Sequence, residues 1–146
     1  ILKDLGSRRA TRIAYDNGTL DIMRPHTKQE EDKETISDLI KALLEEFNIE
    51  FRSLGSTTLE RRAELKAIEP DQCFYIQSEQ AVRGKRSVDL SQDPPPDLVL
   101  EMNTAAYTHL EIYEALGVPE LWRFNKKELA MYRLRAGKYQ AVEESR

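Results

Sequence analysis

The chain has 146 residues, 40% hydrophobic and 33% charged, which suits one domain with a core of its own and is globular rather than disordered. A formal net charge of −4 supplies no general pull on nucleic acid, so such a partner has to be held by local basic clusters or through metal ions. One cysteine excludes an intrachain disulfide framework, and no apolar run approaches the roughly 20 residues that cross a bilayer.

The lone Cys73 lies in the apolar segment Cys73-Phe74-Tyr75-Ile76, where a buried thiol acts as a small hydrophobe, and a reducing cytoplasm is the expected compartment. No basic start followed by an apolar stretch suggests a secretory signal; because the chain opens on Ile1, a few native residues are expected to precede it.

Asp16-Asn17-Gly18-Thr19 carries the Asn-Gly pair of a tight turn, so residues 12–15 and 20–23 are expected to form a β-hairpin. Ile36, Leu39, Ile40, Leu43, Leu44 and Phe47 recur every three or four positions, predicting a helix over 30–47 with one stripe toward a core. Residues 49–52 alternate as a half-buried strand, and Gly55-Ser56-Thr57-Thr58 breaks it. A strand is expected over 72–76 behind Glu69-Pro70-Asp71, then a polar loop from Ser78 to Pro96 with Arg83, Lys85 and Arg86. Residues 97–102 read as a short buried strand and 108–116 as a brief helix stopped by Gly117. Strands over 120–124, 129–134 and 138–142 complete the order. Helices are too few and too unevenly spaced for a doubly wound sheet, so the fold class is mixed α+β within α/β: one domain over residues 1–146, a mixed sheet flanked by two helices.

Chemistry concentrates on two acids. In a strand from Asp97, Val99, Glu101 and Asn103 share one face and Leu98, Leu100 and Met102 the other, which sets Glu101 among apolar neighbours. A buried acid needs an ion pair, hydrogen bonds or a metal. Asp71 stands in the same position at the head of the preceding strand. Two carboxylates on neighbouring strands can hold one Mg²⁺, which prefers oxygen ligands, keeps several waters and assists phosphodiester hydrolysis. Asp97 also follows a proline, but four residues of extended chain, roughly 13 Å, separate it from Glu101. Taken alone, Asp71 is better explained by a structural role at a strand entry after proline, and Glu101 as well by a buried ion pair as by a metal.

Five segments, 18–25 (GTLDIMRP), 55–58 (GSTT), 69–71 with 74–76 (EPD and FYI), 93–101 (DPPPDLVLE) and 116–123 (LGVPELWR), together resemble the Uma family of restriction-endonuclease-like proteins, in order and over nearly the whole chain. The resemblance implies the PD-(D/E)XK core, with Asp71 and Glu101 as its metal-binding acids and Glu30 as a helix-borne third acid. It also exposes departures. Asn103 stands where the superfamily lysine is expected, His109 falls where some members carry a lysine on the next helix, and Gln29 replaces a common histidine. Asn103 orients a water without supplying charge, and histidine is only partly protonated near neutrality.

The resemblance thus implies a Mg²⁺- or Mn²⁺-dependent endonuclease acting on DNA, with Glu30, Asp71, Glu101 and Asn103 as catalytic residues and a homodimer by analogy with enzymes that cut both strands. The alternatives are a catalytically degenerate module that binds nucleic acid or a protein partner, and an interaction domain without metal. No membrane association is expected. His26 reads as a loop residue, and Trp122 and Phe124 as core rather than a base-stacking platform. If DNA is bound, the Arg83 to Arg86 loop is the expected phosphate contact.

Overall fold

The Asn-Gly turn sets the first element. In the computed structural model, which describes residues 12–23, 27–102, 109–125 and 128–143, Asn17 and Gly18 both take positive φ, 47° and 94°. They join β1 (Arg12–Asp16) to β2 (Thr19–Met23). The hairpin does not stand alone. It is the outer half of an antiparallel sheet in the order β2-β1-β5-β4, whose other strands are β4 (Leu59–Arg61) and β5 (Lys66–Ile68). These two strands are absent from the sequence-based order because each is only three residues long and charges interrupt its apolar pattern.

The second sheet has six strands in the order β10-β9-β8-β7-β6-β3. They are β3 (Arg52–Ser53), β6 (Gln72–Tyr75), β7 (Leu98–Glu101), β8 (Glu120–Asn125), β9 (Glu128–Arg135) and β10 (Lys138–Val142). β7 and β8 pair in parallel and the other neighbours antiparallel, so the sheet is mixed as expected. A parallel pair needs a crossover, and the connection from β7 to β8 contains helix α3 (Leu110–Leu116). Gly117 ends that helix in the left-handed region (φ 80°), its N–H bonded to the carbonyls of Tyr113 and Glu114.

Two faces of the six-stranded sheet bury two clusters. On one, Cys73, Tyr75, Val99 and Leu121 meet Ala14, Leu59 and Ile68 of the first sheet and Ile112, Tyr113 and Leu116 of α3. On the other, Phe74, Leu98 and Trp122 meet Ile36, Ile40 and Leu44 of helix α1 (Thr27–Glu46). Fully burying one such side chain contributes about 1.5 to 3 kcal/mol, which makes these layers the main source of stability. Only half of the expected apolar stripe is used. Ile36, Ile40 and Leu44 form one line four residues apart and pack, whereas the adjacent line is left outside, Leu39 60%, Leu43 58% and Phe47 70% exposed.

The 78–96 connection is more ordered than its composition suggests. It contains the short helix α2 (Glu79–Val82), and Arg52 binds the carbonyls of Val82 and Lys85. Asp97 closes its base by accepting from the N–H groups of Ile76 (2.6 Å) and Ser78 (3.0 Å).

Candidate active site

The chain passes from β5 in one sheet to β6 in the other through Glu69-Pro70-Asp71. Glu69 extends the β1–β5 ladder by a step: its N–H donates to the Ile13 carbonyl (3.0 Å), and its Oε1 accepts from the Ile13 N–H (3.0 Å). Thr58 donates to the remaining Oε2 at 3.0 Å. That extension fixes β1 beside the link, so Arg12, one residue before Ile13, reaches Asp71 with Nη1 2.6 Å from Oδ1.

Glu101 is the last residue of β7 and faces the same side as Val99, toward α3. There the Tyr113 hydroxyl donates to its Oε1. Across the strand end, the Met102 N–H donates to Asp71 Oδ2 at 2.8 Å. Both acids are sealed, Asp71 3% and Glu101 4% exposed.

The two carboxyls converge. Burial first, and the charge of Asp71 second, push the Glu101 carboxyl well above the usual carboxylate range; hydrogen bonding with Asp71 acts in the same direction, while Arg12 and Tyr113 oppose it. Tyr113 is raised as well, by its own burial and then by Glu101. Like-charged oxygens held together out of water favour a shared proton or a cation between them.

Among the described residues, no group of three or more His, Cys, Asp or Glu side chains is arranged to hold a metal. The donor chemistry of the pair nonetheless fits a hard divalent cation. Mg²⁺ is bound by one or two carboxylates with waters completing its shell, and a cation between these oxygens would relieve the repulsion that raises Glu101. Arg12 already occupies part of that electrostatic role.

Glu30 lies in the first turn of α1, half exposed, with Oε2 2.9 Å from Lys33 Nζ. Asn103 lies outside the described residues, as do His26 and residues 24–25 of the first matched segment. His109 is buried, its Nε2 3.3 Å from Asp21 Oδ2, and it precedes Tyr113 by four residues on the same side of α3. Asp97 is taken up by the Ile76 and Ser78 amides at the other end of β7. Because β6 and β7 are antiparallel, the connection carrying Arg83 and Lys85 leaves the sheet end opposite Asp71 and Glu101. Arg83 is bound there by Glu79 and Lys85 by Asp93.

Two residues absent from the sequence-based set, Arg12 and Tyr113, complete the constellation. Arg12 sits two positions before Ala14, on its core-facing side, and an arginine there needs a buried partner. Tyr113 precedes Leu116 by three positions on the apolar side of α3, where its hydroxyl needs an acceptor.

A crystal structure of a "putative nuclease belonging to DUF820" from Anabaena variabilis shares this fold, with a TM-score of 0.66 at 15% sequence identity over 90% of this chain and 76% of that one. None of the curated proteins compared matches the chain. The model of the Uma2 family, described as "putative restriction endonuclease", matches residues 2–146, and the chain belongs to that family.

Proposed function

We propose that the protein is a metal-dependent endonuclease that hydrolyses DNA phosphodiester bonds, with Asp71 and Glu101 holding Mg²⁺ or Mn²⁺. The observation that carries this reading is the meeting of two acids, far apart in sequence, inside the protein with Glu101 raised in part by Asp71. Strained acid pairs of this kind cluster at functional sites. When bound, the cation acidifies a water and offsets charge on the phosphoryl group. The chain's own part is orientation: Met102 fixes Asp71, Tyr113 fixes Glu101, and the two-sheet packing buries both carboxyls.

Glu30 is assigned to a second ion or a water, and Asn103 or His109 to the place of the superfamily lysine. Of the latter two, His109 is supported by its burial, its bond to Asp21 and its position one turn before Tyr113. A cytoplasmic homodimer that cuts both strands belongs to the same proposal.

Relaxation of supercoiled plasmid with Mg²⁺ or Mn²⁺, but not with chelator, is the expected result, and Glu101→Gln abolishes it while leaving the fold intact. Undiminished nicking by folded Glu101→Gln and Asp71→Asn variants would refute the site. The Arg12–Asp71 ion pair favours a second reading, a degenerate module that binds nucleic acid, because it compensates Asp71 without a cation. Divalent-independent DNA binding with no nicking would identify that module.

A further inference from the structure

Arg12 is not explained by its contact with Asp71. The guanidinium offers five N–H donors in a planar fork. Its Nη1 is 2.6 Å from Asp71 Oδ1 as an ion pair, but both Nη1 and Nε are shielded from solvent and have no hydrogen-bond partner among the described residues. Its side chain is 14% exposed, so the charge sits at the border of the buried acid pair. Buried donors without acceptors are uncommon and expensive, and they call for a missing partner or a function.

Charge balance indicates what that partner is. Two ionised carboxylates cancel one divalent cation, which leaves the single positive charge of Arg12 facing the site. A phosphodiester carries a single negative charge, spread over two oxygens that a guanidinium fork matches. Lysine is also missing at position 103, where Asn103 stands, so Arg12 is the cation that the described structure places against the acids.

We propose that Arg12 is a catalytic residue that grips the scissile phosphate, releasing Asp71 to the metal and donating to a non-bridging phosphoryl oxygen. This rests on the nuclease reading. In the reaction, the oxygen of water bonds to phosphorus, the bond from phosphorus to the sugar oxygen breaks, and a water proton ends on that leaving oxygen. Arg12 keeps its protons throughout and stabilises the charge that builds on phosphorus.

The test compares wild type, Arg12→Met and Arg12→Lys in three measurements: Mn²⁺ uptake by calorimetry, binding of a short fluorescent DNA duplex in Ca²⁺, and plasmid nicking in Mn²⁺. In Arg12→Met, Mn²⁺ is expected to bind at least as tightly, because Asp71 is freed. Duplex affinity falls about tenfold with a salt slope lower by about one, and nicking falls about 10²- to 10³-fold. Arg12→Lys keeps the charge but not the fork, and should recover part of both losses.

A residue serving only as counter-ion to Asp71 predicts otherwise: with Mn²⁺ present, the methionine variant would bind and cut as wild type does, and that result overturns the proposal. If wild type does not nick, the nuclease reading fails separately, and the duplex affinities decide for or against the phosphate contact. If Arg12→Met does not fold, Arg12→Lys carries the comparison, and wild-type duplex binding and nicking by that variant would count against the fork.

Discussion

Replacing the two site acids by their amides should have unequal consequences for stability. Asp71 is the charged partner of Arg12, whereas burial and the charge of Asp71 favour the protonated form of Glu101. Asp71→Asn leaves a largely buried guanidinium without its anion, a change that typically costs about 3 to 5 kcal/mol. Glu101→Gln substitutes a neutral amide for a carboxyl that already favours neutrality, and its oxygen can still accept from Tyr113, so a change below about 1 kcal/mol is expected. At this chain length the first loss corresponds to a fall in Tm of about 10 to 15 °C and the second to a few degrees at most. Urea unfolding followed by circular dichroism, in chelator at neutral pH, measures both, and unchanged slopes would confirm that the unfolded states are comparable. Equal losses, or a larger loss for Glu101→Gln, would refute the assignment of charge within the pair. The pH dependence gives the sign independently. Glu101 is raised above 4.5, so between that value and its higher folded value the native state holds a proton that the unfolded chain has released. Its contribution to stability is therefore lost as pH rises through that window, at up to about 1.4 kcal/mol per pH unit, and Glu101→Gln should flatten the slope.

Cys73 gives a second check, since burial pushes its thiol up to about 12; alkylating reagents at pH 8 should label it only after unfolding, and rapid labelling of the native protein would contradict its burial. Asp93 is lowered by the Asp89 N–H and by Lys85, so its stabilisation is present above the ordinary value of 3.8 and disappears as pH falls through the lower folded value. Asp93→Asn should accordingly be less stable than wild type at pH 7 and indistinguishable from it in strong acid, as read by thermal melts across pH. On α1, Ile40→Ala should cost about 2 to 4 kcal/mol and Leu43→Ala less than about 0.5 kcal/mol, because only the first is buried; similar losses in denaturant titrations would mean that the exposed line is covered in solution.

What could be read from the chain followed the range of the interactions. The hairpin was legible because Asn17-Gly18 encodes its own turn, and the α1 and β7 patterns because a few neighbouring apolar residues fix each period. β4 and β5 were not, since three-residue strands with Glu60, Arg61 and Lys66 in them show no period and exist through pairing with each other and with β1. In the site, Asp71 and Glu101 stood out as acids among apolar residues. Arg12 and Tyr113 did not, because their partners lie 59 and 12 positions away and only the packing of hairpin and α3 brings them together. The α1 stripe was overread for a related reason: periodicity shows that a helix has an apolar side, and the width of the surface it meets decides how many of those residues are covered.

The passage of the chain between sheets at Glu69-Pro70-Asp71 has a bearing on how the protein fails. Arg12 rides on one layer, Glu101 on the other, Tyr113 on a helix laid across them, and Asp71 on the seam itself. A slight slip of one layer against its neighbour would scatter the four groups while each layer kept its own hydrogen bonds. Warming should thus silence any chemistry at this junction ahead of bulk melting, and mutations deep between the layers should damage turnover more than their effect on overall folding suggests.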